Sequence, residues 1–235
     1  MAFTYFVQFE SPNRPQVRLG EHGRRWLIDF LRRTPGLTKG RLYMPAEVDT
    51  PFSADKPLPV LALQLYFTSL PSLEAAIAER GHLQAIAARD ALPELAGASV
   101  THQAMLARSF PVPQPQPSSA ATQCSLLVHY PGPAQDLNAW LRHYLDRHTP
   151  LLAKFPGIRD VEVCTRVDWC DALPWRRVDH MQRNRVAFDS GDALAAALAS
   201  PVLDELRADS RSLPPFAGGS RHHPMHMITF AGTAP

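Results

Sequence analysis

The chain has 235 residues, 45% of them hydrophobic and 20% charged, with a formal charge of +2. Such a composition is globular, which excludes a disordered or membrane-embedded chain, and the length suits one large domain or two small ones. Twelve Lys and Arg stand against ten Asp and Glu up to residue 110, and twelve against twelve beyond it, so no basic face is offered to nucleic acid.

The first predicted element is an alternating, β-rich run from Phe3 to Phe9. A helix follows, on which Arg24, Arg25, Arg32 and Arg33 form a solvated face, and it stops at Pro35-Gly36. Strands are expected at Leu37 to Met44 and, after a Pro-bearing loop, near Val60 to Phe67. Ser69 can open the next helix, Leu73 to Arg89, which is Ala-rich and amphipathic. A Leu92-Pro93…Ala96-Gly97 loop then leads to a last strand around His102.

The prolines at 111, 113, 115 and 117 favour an extended spacer. After it the same order recurs. Cys124 to Tyr130 reads as a strand, and Leu137, Trp140, Leu141, Tyr144, Leu145, His148, Leu151, Leu152 and Phe155 form one apolar stripe behind Asp136. Pro156-Gly157 ends that helix. Strands at Ile158 to Val167 and Arg185 to Phe188 flank a Trp-bearing loop. Ser190 opens a helix from Leu194 to Asp209, and a last strand lies around His223.

One ungapped offset of 121 residues relates the two passes: Gly36 to Gly157, Phe67 to Phe188, Gly97 to Gly218 and His102 to His223. The domains are therefore copy one at 1–110, a Pro-rich linker at 111–121 and copy two at 122–235. The fold class is α+β. Each β-α-β-β-α-β copy is a ferredoxin-like unit, a four-stranded antiparallel sheet with both helices on one face. The bare face would expose apolar side chains, so the two sheets are expected to pack face to face as a pseudo-dimer. Pairing within one chain and a swapped dimer both fit the sequence, as does a homodimer of pseudo-dimers.

His129-Tyr130-Pro131, then Tyr144 and His148-Thr149-Pro150-Leu151 on one helix, then Phe155-Pro156-Gly157-Ile158, resemble the EthD-like family of the dimeric α/β-barrel superfamily. The similarity covers nearly all of copy two and extends in outline to copy one. There Leu27-Ile28-Asp29-Phe30 replaces the His-x-Pro-Leu motif, so one site per chain is expected, in copy two. In the family this histidine lines a cleft between helices and sheet.

His148 sits four residues from Tyr144 on the apolar stripe, where burial lowers an imidazole pKa and leaves a neutral base. The same position suits a satisfied core histidine. Tyr144 can polarise a developing oxyanion or simply fill the core. His129, Tyr130 and His223 are candidates to line a cavity, although either face of the strand bearing His129 fits. Trp169 and Trp175 can roof a pocket or anchor their loop. His222 and His226 lie four apart with no carboxylate close by, so no metal site is expected.

These readings favour a cofactor-free lyase, isomerase or cyclase that moves a proton on a small aromatic or polyketide-like compound. The alternatives are a non-catalytic small-molecule-binding or accessory protein and, by the superfamily resemblance, a haem enzyme. The N-terminal run lacks the features of a signal peptide, and no stretch is long enough to cross a membrane. Cys124, Cys164 and Cys170 form no CxxC pair, and a reducing, cytoplasmic location is expected.

Overall fold

The computed structural model describes residues 2–52, 58–88, 91–115 and 123–233. The first half contains β1 (Ala2–Glu10), α1 (Glu21–Arg32), β2 (Leu37–Pro45), β3 (Leu61–Phe67), α2 (Leu70–Ile77), α3 (Gln84–Ala87) and β4 (Ser99–Phe110). The second opens with β5 (Gln123–Tyr130), α4 (Leu137–His143), a π-helical turn (Tyr144–His148), α5 (Thr149–Leu152) and β6 (Asp160–Arg166). It continues with the short β7 (Arg176–Arg177), β8 (Gln182–Phe188), α6 (Gly191–Leu198), α7 (Val202–Ser210) and β9 (Arg221–Ala231).

Local chemistry sets the boundaries. Ser69 and Ser190 accept hydrogen bonds from the amides of Ser72 and Ala193, and Asp136 caps α4 through the amide of Ala139. Gly36 and Gly157 take φ of +75° and +73° at the two Pro-Gly stops. The expected helix from Leu73 to Arg89 is instead two short ones. Gly81 lies in the break, so close to the Ala76 carbonyl that a side chain would clash. Its counterpart, expected from Leu194 to Asp209, breaks at Ser200-Pro201, where proline supplies no amide. Arg89 and linker residues Gln116 to Ser119 lie outside the described residues.

Strand order is β4-β1-β3-β2 in one half and β9-β5-β8-β6 in the other. β2 then pairs with β9 and β4 with β6, all antiparallel, so the two sheets join edge to edge in one closed eight-stranded barrel. Closure leaves neither sheet with a free long edge.

The 121-residue offset holds for the first three strands of each half but fails in the last. Phe6 pairs with Gln103, whereas Leu127 pairs with His223. Copy two is one residue shorter between Gly218 and β9, which makes His222 the structural counterpart of His102. Because side chains alternate, that single residue turns His223 to the opposite face.

Outward-facing Tyr5, Val7, Leu63 and Leu65 pack under the first helices, and Leu126, Val128, Val163 and Val186 under the second. The opposite faces meet inside the barrel. An apolar contact was expected there, but Tyr43, Leu127, Met225 and Met227 share the interior with buried Arg41, Gln64, Glu162, Arg183 and Arg185. This also explains why β8 begins at Gln182 rather than Arg185: its arginines face inward, so a true strand looks polar in sequence.

Arg41 and Glu162 occupy equivalent positions and meet across the pseudo-twofold axis at 3.4 Å. Asp160 accepts from Arg41 at 2.9 Å and from Arg185 at 2.6 Å. Burial alone would raise the Asp160 pKa, but the two guanidinium groups outweigh it and hold the carboxyl down at about 2.

Candidate active site in the second half

Each half sends its β2–β3-type loop over the other half's sheet. The first half's loop brings Val48 and Phe52 to the second core, and the second half's loop brings Trp169 and Leu173 to the first. By the 121-residue spacing, Val48 corresponds to Trp169 and Leu126 to Tyr5. In the first half the Trp169 ring lies 6.0 Å from Tyr5 and 5.1 Å from His102, and these rings fill the space. With Val48 and Leu126 in their places, the second half keeps a cavity of about 280 Å³.

Leu126, Val128 and Val186 from the sheet line this cavity, facing Leu152, Phe155 and Leu203 from the helical side. Phe52 closes over it, stacked on His222 with ring centroids 3.9 Å apart. The polar groups are His148, Tyr130, Asn184 and His222, with Ser210, Ser220 and the exposed Arg207 and Arg211 toward the mouth.

His148 is the last residue of the π-helical turn, and its Nδ1 lies 2.8 Å from Asp209 Oδ2. The other Asp209 oxygen is 2.9 Å from His143 Nε2. Burial lowers the His148 pKa, with Asp209 acting in the opposite sense. A neutral imidazole donating Nδ1–H to the carboxylate keeps its lone pair on Nε2, which makes Nε2 the basic nitrogen.

Tyr144 is fully buried and stands behind the cavity wall rather than on it. Its hydroxyl accepts from Asn184 Nδ2, and its ring lies 5.4 Å from Tyr130 and 4.6 Å from His148. Burial drives the Tyr144 phenol well above its usual pKa and Tyr130 to about 12. Both are therefore neutral hydrogen-bonding groups near pH 7. Asn184 Oδ1 is buried with no partner among the described residues.

The remaining candidates lie elsewhere. Trp169 and Trp175 cover the first half, where Trp175 borders a separate cavity of about 360 Å³ beside α3. His129 and His223 point into the barrel with ring centroids 5.0 Å apart, on the opposite face of their strands from the cavity. Sequence reasoning missed Asp209, Asn184 and Phe52. A signal for the first two existed: at the 121-residue spacing copy one has Leu27, Ala88, Leu63 and Gly23 where copy two has His148, Asp209, Asn184 and Tyr144. Four positions without a polar side chain match four polar ones. Among the described residues no group of three or more His, Cys, Asp or Glu is placed to hold a metal ion, and no helix is long and apolar enough to cross a membrane.

No family model matches the sequence, and no curated protein matches it. Solved structures do. An anthrone oxidase-like protein superposes over 99% of this chain and 94% of its own, with a TM-score of 0.64 at 12% identity. A candidate monooxygenase from Fusobacterium nucleatum covers the same shares at 0.55 and 6%. A variant chlorite dismutase from Candidatus Nitrospira defluvii covers 95% and 91% at 0.50 and 10%. Identities this low speak for architecture alone, and with the closed eight-stranded barrel they establish that this chain has the dimeric α/β-barrel fold, built from two halves of one polypeptide.

Proposed function

We propose that the second half is a proton-transfer site for a small aromatic or polyketide-like compound, working without a bound cofactor. The observation that supports it best is the Asp209–His148 pair, whose imidazole lines a largely apolar cavity. Asp209 fixes the imidazole so that Nε2 faces the ligand and takes a proton from an acidic carbon or a phenol, and the carboxylate stabilises the imidazolium that forms. Tyr130 and Asn184 stand where they can hydrogen-bond the oxygen on which charge collects. Tyr144, behind them, holds both in place.

The products of such a step are a lyase, isomerase or cyclase outcome, according to how the carbanion collapses. A second reading draws on the neighbour described as anthrone oxidase-like: the deprotonated, electron-rich ring is oxidised by dioxygen as co-substrate. A haem-dependent reading is less favoured, because a cavity of about 280 Å³ is small for a macrocycle and lies at the lower edge of the roughly 300–1,000 Å³ usual for ligand sites.

A thermal-shift screen of aromatic metabolites identifies ligands, since one that binds only the folded chain raises its stability. Ligands found this way are then assayed for turnover and oxygen uptake. His148→Ala is expected to abolish turnover while the fold persists; retained activity refutes the proposal. Binding without turnover, insensitive to pH across the imidazole range, would instead identify an accessory binding protein.

A further inference from the structure

The barrel interior treats its buried arginines in two different ways. Arg41 and Arg185 share the carboxylates of Asp160 and Glu162. Arg183, pointing inward from β8 with 2% of its surface exposed, has no carboxylate within ion-pairing distance among the described residues. Its Nη1 donates to a ring nitrogen of His129 at 3.0 Å, its Nε lies 3.5 Å from Gln103 Oε1, and its guanidinium sits 4.9 Å from the Phe6 ring centre. All these partners are neutral. A guanidinium removed from water without a counter-charge is strongly destabilising.

Three imidazoles gather at the same place. His129 lies 5.0 Å from His223 and 5.6 Å from His180, measured between ring centres. Burial lowers the His180 pKa to about 3, with Arg183, Arg221 and Arg176 acting in the same sense. Of the acids, Glu10 acts on Arg183 only as the last of the named influences. This end of the barrel is thus polar and rich in N–H donors, and among the described residues no carboxylate is paired with Arg183.

We propose that this end of the barrel binds an oxyanion, a carboxylate or phosphate group, on the Arg183 guanidinium with His129 and His223 beside it. The planar fork of N–H donors matches two oxygens of either group, and the bound anion supplies the missing charge. The site is distinct from the cavity. Arg183, His129 and His223 alternate along their strands with the cavity-lining Asn184, Val128 and His222, and so face the other way.

Thermal unfolding of the full chain near neutral pH, in phosphate, acetate or chloride at matched ionic strength, tests this. A saturable rise of the midpoint with phosphate, acetate or both is expected, and whichever acts at lower concentration names the source. Arg183→Met should lose the response. Arg211→Gln, at the cavity mouth, should keep it. Should Arg183→Met fail to fold, His129→Asn serves in its place and should shift the concentration needed about tenfold upward. No response in the parent chain, or an undiminished response in the folded Arg183→Met or His129→Asn chain, overturns the proposal.

Discussion

Removing the charge of Glu162 tests what holds the two halves together. Its carboxylate is buried in the barrel, accepts from Gln64 at 2.6 Å and Tyr66 at 2.8 Å, and pairs with Arg41 at 3.4 Å. Glu162→Gln keeps the shape and one accepting oxygen but leaves Arg41 and Arg185 sharing Asp160 alone. Breaking a buried pair from one side typically costs roughly 3–5 kcal/mol, and the hydrogen bonds that glutamine can retain place this case near 3. Against a total of about 5–15 kcal/mol for a natural domain, that is a large shift of the urea midpoint. Arg41→Met combined with Glu162→Gln removes both charges and should be less destabilising than the sum of the single changes. A loss below about 1 kcal/mol for Glu162→Gln, or strict additivity in the double variant, refutes the reasoning. The pair also favours unlike halves. Two first halves would bring Arg41 against Arg41, and two second halves Glu162 against Glu162, each a repulsion in a low-dielectric interior.

Leu126→Tyr rebuilds in the second half the ring that Tyr5 supplies in the first, and it should abolish ligand-induced thermal shifts while leaving the unliganded midpoint within a few degrees; undiminished binding would show that ligand lies elsewhere. Asp209→Asn should lower kcat by about 10²–10⁴-fold with a smaller change in KM, and equal activity would separate Asp209 from the chemistry. The acid limb of kcat/KM should have its midpoint below the ordinary imidazole value of 6.5, because burial lowers the His148 pKa; a midpoint above 6.5 contradicts the burial argument. Folding stability should fall with acid in two stages. Buried His129 and His148 and half-buried His180 bind protons less readily folded than unfolded, so their contribution is full above about 6.5 and is lost as pH drops, for His180 down to about 3. Asp160, held at about 2, adds a loss between 3.8 and 2. Urea titrations showing constant stability from neutral pH to about pH 4 would refute the first stage.

The alternating run of β1, the Pro-Gly stops, the serine caps and the repeat itself are local or periodic features, and each could be read from the chain before any contact was known. So could the asymmetry between the halves, since Leu27 stands where copy two has His148. The polar strand β8 was only partly legible, because its inward Arg185 makes sense only beside Asp160, which belongs to another strand. The one-residue slip of β9 was hidden for a similar reason: His102 and His223 match by spacing, and only strand pairing reveals which face each occupies.

By itself, the sequence determined the duplicated β-α-β-β-α-β unit, because turns, caps and periodicity are encoded within a few residues of one another, and it set His148 in the second half against Leu27 in the first. The tertiary structure alone decided that the sheets close edge to edge around a charged interior and that Asp209 reaches His148 from 61 residues away. It also decided that each half is roofed by a loop of the other, so that Trp169 fills one cleft and Val48 leaves its counterpart open. Those outcomes depend on which surfaces meet in space, and separation along the chain does not record that.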